Sequence, residues 1–404
     1  MQYISRAIER TVERLSAQFP AMLLCGARQS GKTTLLRHLC GPDRTYLNLD
    51  DPNLLRLATD DPQLLLQQYP GDVLIDEIQQ APGLLPLIKL AADRSGRPGQ
   101  FWLTGSQQFG LMKGASESLA GRVAILELLP FSYAERLRAA GDRAAWHPGL
   151  PLDPGRILHA DIHSVFAAIW DGGFPRLVAE PDLDVEAYVA SYVTTYLQRD
   201  VRDLLRVGDL RDFDRFLRAC AARTAQMLNM SELARDVGVA VSTVKQWLSV
   251  LEASCQVLLL EPYYRNVGKR LVKTPKLYFL NTGLVCFLTG WRTVQTAASG
   301  AMAGALFETH AVGEVLKSWR NEGRRAPIYY WRTKDKGEVD LLFDLDGRLY
   351  PAEIKLAASP SNPEANWRSL LTSGLEVGKG CVLCLCGQAL PLSRRVDAVP
   401  VGAI

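Results

Sequence analysis

The chain has no hydrophobic run of the roughly 18 residues that a membrane-crossing helix requires. Its first residues, Met1 to Glu13, are polar and charged, with no apolar stretch behind a basic head. Neither a spanning helix nor a secretory leader is therefore expected, and the expected location is the cytoplasm, with no membrane partner. There is no internal repeat and no low-complexity tract, so a repeat architecture is not expected. Charge of one sign is also scarce: the net charge is +3 over 404 residues. Any nucleic-acid contact therefore has to come from local clustering. The eight cysteines are dispersed among apolar neighbours, as in a reduced protein. Cys381 and Cys384 form a C-x-x-C inside an apolar run, Gly380 to Cys386, that reads as a buried strand. Residues three apart on a strand point to opposite faces, which argues against a shared zinc or redox role.

What is present is apolar material for several cores, at 48% hydrophobic residues. A length of 404 residues suggests more than one domain. Ile4, Ile8, Val12 and Leu15 lie at helical spacing and predict a helix over 2–19. Strands are expected at Ala21–Cys25, Tyr46–Leu49, Val73–Asp76, Gln100–Thr104 and Val123–Glu127, with helical stretches between them. That alternation predicts a doubly wound parallel sheet. Residues 131–225 read as mostly helical, broken by a Pro/Gly-rich loop at His147–Gly155. A separate unit is expected near 226–280, with a linker at Thr293–Gly304 and a strand-rich segment from about Ile328 onward.

The run Gly26-Ala27-Arg28-Gln29-Ser30-Gly31-Lys32-Thr33 fits G-x-x-x-x-G-K-[ST] in full, between a strand and a helix. Its glycines let backbone N–H groups curl around a phosphate, and the helix N-terminus adds a favourable dipole. Lys32 is expected to reach the β- and γ-phosphates, and the Thr33 hydroxyl to ligate magnesium, with Thr34 beside it. Asp76 ends an apolar strand where it can hold the same ion, and Glu77 next to it can polarise an attacking water. Ser106, after the strand Phe101–Leu103, is a candidate for contacting the γ-phosphate or orienting that water. Arg122, just before the strand at Val123, is either a finger aimed at a neighbouring subunit's nucleotide or a surface arginine at a helix end. The guanine-selecting N-K-x-D is missing, which favours ATP.

With these pieces the chain resembles the AAA-fold ATP-binding proteins of bacteria and archaea that carry a long C-terminal region. The matching segments are Gly26–Thr34, Ile75–Gln79, Leu103–Ser106, Ser118–Arg122, Gly172–Arg176, Tyr196–Asp200 and Trp331-Arg332. The resemblance implies that Arg122 is the finger, acting in a homo-oligomer, and that Arg176 is a lid residue touching the nucleotide. Asn281, in Phe279-Leu-Asn281-Thr-Gly283, stands where the family usually has aspartate.

Two further patterns follow. Ser231–Gly238 and Thr243–Glu252 are amphipathic helices around a short turn, with a strand at Val257–Leu260 behind them. Lys245 lies on the second helix. The cations Arg265, Lys269, Arg270, Lys273 and Lys276 come next with no acid among them, as in a winged helix with a positive wing able to meet DNA phosphates. ATPases also use this unit for inter-domain packing. In the last segment Asp340, Glu353 and Lys355 fall on a hairpin turned at Asp344–Gly347, with Glu308 on a helix upstream. This is the D…E-x-K pattern of restriction-endonuclease-like folds, in which two carboxylates hold magnesium and the lysine positions the nucleophile. Such domains also persist without activity.

The expected fold class is therefore α/β. It comprises a P-loop AAA-type core (1–130), a helical lid (131–225), a winged-helix-like unit (226–292) and a restriction-endonuclease-like domain (293–404). The expected function is a magnesium-dependent ATPase acting on DNA. The alternative is a nucleotide-dependent protein-binding switch or scaffold whose C-terminal domain is inactive.

Overall fold

A computed structural model of the chain describes residues 3–106, 119–141, 143–197, 210–264, 274–333 and 337–404. Its first layer is a five-stranded sheet of β1 (Ala21–Gly26), β2 (Thr45–Asn48), β3 (Val73–Asp76), β4 (Phe101–Ser106) and β5 (Val123–Glu127). The strand order is β2-β3-β4-β1-β5, and every pairing is parallel. Parallel strands covered on both faces read as continuous apolar runs, and β1 is buried along its whole length. Its side chains nonetheless sort by the two-residue period. Leu23 joins Ile75 and Leu103 in one apolar cluster, whereas Met22 and Leu24 join Leu74 and Trp102 in another. All five strands point the same way, so the segments leaving β1, β3 and β4 meet at one edge of the sheet.

The N-terminal helix is shorter than its periodicity predicts. It runs only from Glu9 to Ser16, and the residues from Tyr3 to Arg6 are non-helical. The cause is tertiary: the Arg6 side chain is held by three partners far along the chain. Its Nε bonds Glu135 Oε1 at 2.9 Å, Nη1 bonds the Ser30 carbonyl at 2.9 Å, and Nη2 bonds the Leu129 carbonyl at 2.7 Å.

After the sheet come the helices Ile162–Asp171, Pro175–Ala179, Val185–Tyr192 and Leu210–Ala221. Gly172 and Gly173 end the first of these with φ of 65° and 69°. At Gly173 a Cβ would lie 2.4 Å from the Phe131 carbonyl oxygen, so only glycine fits there. The middle unit pairs β6 (Gln226–Met227), β7 (Val257–Leu260) and β8 (Lys276–Phe279) in an antiparallel sheet ordered β6-β8-β7. The helices Met230–Val237 and Val241–Ala253 lie between β6 and β7 in the chain. The stretch expected as a linker, Thr293–Gly304, instead holds the helix Val294–Ser299. Thr293 and Thr296 form a capping box that starts it.

The last layer is the helix Ala303–Asn321 against a six-stranded sheet. Its strands are β9 (Ile328–Arg332), β10 (Glu338–Leu345), β11 (Arg348–Ile354), β12 (Gly380–Cys384), β13 (Leu390–Pro391) and β14 (Val396–Pro400). The order is β13-β14-β12-β11-β10-β9. The turn joining β10 to β11 has Asp346 and Gly347 at φ 54° and 87°, the signs of a type I′ hairpin. Cys381 and Cys384 sit on β12 in different apolar clusters, on opposite faces of the sheet. One continuous core runs from the helices that follow the first sheet (Phe166, Phe216) through the middle unit (Trp247, Phe279) to the C-terminal sheet (Phe343, Ile354). Among the described residues no helix is long and apolar enough to cross a membrane.

Candidate functional site

The loop leaving β1 is shaped by backbone that side chains would oppose. Gly26 has φ 144°, and a Cβ there would lie 2.2 Å from the Leu128 carbonyl oxygen. Gly31, at φ 91°, caps the helix Lys32–Leu39. The loop thus ends on the N-terminus of the helix Lys32–Leu39, where unpaired backbone N–H groups favour an anion. Lys32 is buried, and its Nζ donates to the carbonyls of Gly26 and Ala27 at 3.1 and 2.9 Å. Burial lowers its pKa, and the nearby Glu77 pulls the other way.

Beside the loop stands Asp76, at the end of β3 and buried. The Thr33 hydroxyl lies 2.9 and 3.0 Å from its two carboxylate oxygens. Tyr46 donates to Oδ2 at 2.8 Å, and the Thr104 hydroxyl also bonds Asp76. Glu77 has φ 58°, a left-handed conformation that is uncommon outside glycine and marks a constrained position. Its N–H donates to Thr104 Oγ1 at 3.3 Å, and Gln79 Nε2 bonds its carboxylate.

These groups border a cavity of about 480 Å³. Arg28, Gln29, Lys32, Thr33, Thr34 and Glu77 line it. Tyr3, Ile4, Phe131, Pro175, Arg176 and Ala179 line it as well. Arg176 reaches it from the helix Pro175–Ala179, with Nε 3.3 Å from Glu180. Ser30 is buried in the loop. Ser106 ends β4, and its side chain lies outside the described set.

Arg122 is not at this cavity. It precedes β5 next to Ala21, at the opposite end of the sheet from the loop. Its Nε bonds Asp93 Oδ1 at 2.6 Å, and both side chains are partly exposed. Sequence reasoning missed Tyr3, Arg6 and Tyr46. Tyr3 stacks on His38 with ring centroids 3.6 Å apart, and Arg6 clamps the loop through the Ser30 carbonyl. No local signal marks them, because each acts through partners remote in sequence.

In the middle unit Lys245 is exposed on the helix Val241–Ala253. Arg265, Lys269, Arg270 and Lys273 lie outside the described residues. Lys276, expected to join them as a cation facing DNA, does not: its side chain is 4% exposed and turned into the C-terminal unit. Its Nζ lies 2.6 Å from Glu338 and 3.5 Å from both Asp340 and Glu308.

The residues of the D…E-x-K pattern do come together there. Lys355 Nζ is 3.1 Å from Glu353 and 3.7 Å from Asp340. Asp340 Oδ2 also accepts from the Ile354 N–H at 3.0 Å, and Trp367 Nε1 donates to Glu353 at 3.3 Å. Tyr278 donates to Glu308 at 2.6 Å. Burial and the neighbouring Asp340 raise the Glu308 carboxyl to about 7, and the same two causes raise Glu353. Among the described residues no group of three or more His, Cys, Asp or Glu side chains is arranged to hold a metal ion. The carboxylates are gathered around ammonium groups instead.

Residues 18–137 match the model of an AAA domain. Residues 162–295 and 303–404 match two domains of unknown function, DUF8612 and DUF4143. An uncharacterised protein of Mycobacterium tuberculosis is 33% identical over 387 residues, covering 95% of this chain and 81% of its own length. Its counterpart in Mycobacterium bovis matches to the same extent. Among solved structures, the Walker-type ATPase of Pyrococcus abyssi is similar at a TM-score of 0.44 and 17% identity, covering 71% of this chain and 96% of its own.

Proposed function

Because the chain belongs to the family of these mycobacterial proteins, built on an AAA-domain P-loop ATPase core, we propose that it binds ATP with magnesium at the 480 Å³ cavity and hydrolyses it. The observation that carries this reading is the contact between the Thr33 hydroxyl and the Asp76 carboxylate, at 2.9 and 3.0 Å, directly beneath the loop. Two hard oxygen donors side by side suit a magnesium ion, which when bound supplies positive charge to the β- and γ-phosphates. The backbone N–H groups of Gly26–Thr34 hold the phosphates, and Lys32 turns from its carbonyl partners to meet them. Glu77, its carboxylate steadied by Gln79, takes the proton of the attacking water. Ser106 orients that water, and Arg176 touches the nucleotide from the lid. Arg122 serves the site of a neighbouring copy.

The test is a pair of variants. K32A should lose nucleotide binding or turnover, because the phosphates lose the buried ammonium at the start of the helix Lys32–Leu39. E77Q should keep ATP binding and lose at least about 100-fold in turnover, because only the general base is gone. Wild-type turnover in K32A would end the assignment.

We place the ATPase on DNA, through a winged-helix reading of the middle unit. Support comes from its order of strand, two helices and two strands, and from the exposed Lys245. The cations Arg265, Lys269, Arg270 and Lys273 fall between β7 and β8 in the sequence. Binding should weaken steeply with salt, since each phosphate contact releases counterions. A flat dependence of log K on log salt would remove DNA as the partner. For the C-terminal domain the fold reading is restriction-endonuclease-like, from the hairpin that joins Asp340, Glu353 and Lys355 beside Glu308. Its catalytically silent form is favoured by a specific observation, the Lys276 ammonium among its carboxylates.

A further inference from the structure

Lys276 opens β8 in the middle unit, yet its side chain ends inside the C-terminal one. Four carboxylates gather there: Glu308, Glu338, Asp340 and Glu353. Buried or half-buried carboxylates brought this close repel unless a cation lies between them. A metal-dependent nuclease meets that demand with magnesium. Here two ammonium groups meet it, with the Arg332 guanidinium adding a contact to Glu338 at 3.6 Å. Lys276 faces Glu338, Asp340 Oδ1 and Glu308, at 2.6, 3.5 and 3.5 Å. Lys355 faces Glu353 and Asp340 Oδ2, at 3.1 and 3.7 Å. Both oxygens of Asp340 are therefore engaged by cations of the chain itself. A magnesium ion needs carboxylate oxygens turned to a common point about 2.1 Å away, whereas the neighbour that Asp340 Oδ1 and Glu308 Oε1 share is Lys276 Nζ, 3.5 Å from each.

We infer that Lys276 is the resident cation of this centre, so that the C-terminal fold works here as an ionic joint between the middle and C-terminal units and not as a magnesium site. The inference rests on the nuclease-like reading of the fold and assigns it a different use. Backbone contacts fasten the same boundary. The Tyr263 N–H donates to the Tyr330 carbonyl at 2.7 Å, and the Tyr330 N–H donates to the Glu261 carbonyl at 3.1 Å. Tyr330 OH in turn bonds the Thr274 carbonyl. These bonds tie β9 to the segments flanking β7 and β8, so the lysine is delivered by a fixed backbone.

The experiment counts manganese ions bound to nucleotide-free, full-length protein by electron paramagnetic resonance. Wild type and D340N should bind alike, because the centre takes no ion in either. K276M should gain one site, at least tenfold tighter than anything wild type shows there, and K276M/D340N should lose it. An Asp340-dependent ion in wild type would overturn the inference and favour a metal nuclease. A folded K276M that gains no ion would overturn it as well. K276M leaves buried carboxylates uncompensated, so a second measurement on wild type guards against misfolding. Lys276 should resist reductive methylation equally with and without millimolar magnesium, and magnesium-induced labelling would overturn the inference. ATP turnover depends on Lys32 and is read in the same preparations, so failure of the joint and failure of the ATPase reading give separate signals.

Discussion

His310 stands on the helix Ala303–Asn321 with its ring edge-on to Tyr133, centroids 6.2 Å apart. It is buried, and its Nε2 has no hydrogen-bond partner among the described residues. Burial pushes the imidazole down to about 4, with Lys317 and Arg136 adding to the effect and Glu314 opposing it. The sign follows from linkage. Below the ordinary value of 6.5 the unfolded chain takes up a proton that the native imidazole refuses until about 4. This contribution to stability is therefore complete above pH 6.5 and is lost as pH falls towards 4. Wild type should lose about 2 to 3 kcal/mol more than H310Q between pH 7 and 4.5, read from urea midpoints. Parallel pH profiles for the two proteins would show that the imidazole does not carry the effect. The residues around His310 also bear on the nucleotide cavity. Glu314 accepts from the Tyr133 N–H at 2.7 Å, and Lys317 donates to the Phe131 carbonyl at 2.9 Å. Phe131 itself lines the cavity.

At the scale of elements, Asn281 stands where the family resemblance leads one to expect aspartate, and it has a structural task of its own. Its Oδ1 caps the helix Thr282–Thr289 by accepting from the Leu284 N–H at 2.9 Å. Capping needs an acceptor, which asparagine and aspartate both supply. N281D should therefore stay within about 1 kcal/mol of wild type, whereas N281A should lose about 1 kcal/mol or more with the cap. Equal thermal midpoints for N281A and wild type would refute the capping role. The neighbouring Gly172 is stricter. A Cβ there would lie 2.1 Å from Asn281 Oδ1, on backbone at φ 65°. G172A should cost upwards of about 2 kcal/mol through strain and clash together, and a thermal midpoint like that of wild type would show that the backbone can give way. Elements whose signal is local were legible in the sequence: β1, β3, the glycine loop and the Asp-Gly hairpin each announce themselves within a few residues. The start of the chain was not, because Ile4 and Ile8 have helical spacing while Arg6 answers to Glu135, Ser30 and Leu129. The linker expected at Thr293–Gly304 hid a capping box whose two members are both threonine. Lys276 was grouped with its basic neighbours, although its counterions Glu308, Glu338 and Asp340 are far along the chain.

The whole molecule poses a question that one copy of the chain does not answer, namely what Arg122 does. β1 separates it from the glycine loop by six residues, a distance of roughly 17 Å along the strand. No rotamer brings it to its own cavity. Its guanidinium is 40% exposed and bonds Asp93 and the Ala120 carbonyl at the surface. An exposed ion pair of this kind contributes little to stability, so R122A should fold normally. If Arg122 completes the site of an adjacent copy, R122A should bind ATP as wild type does and turn over far more slowly, because the charge it supplies is needed only in the transition state. Mixing then separates this role from an indirect one. In an assembly of equal parts R122A and K32A, half the subunits keep Lys32, and half of those receive Arg122 from a K32A neighbour. Turnover should recover to about a quarter of wild type, from two variants that are each inactive alone. The measurement is steady-state phosphate release from a preparation in which mass spectrometry shows mixed assemblies. Mixed assemblies without recovery would return Arg122 to the surface and leave the proposed ATPase without its trans-acting charge.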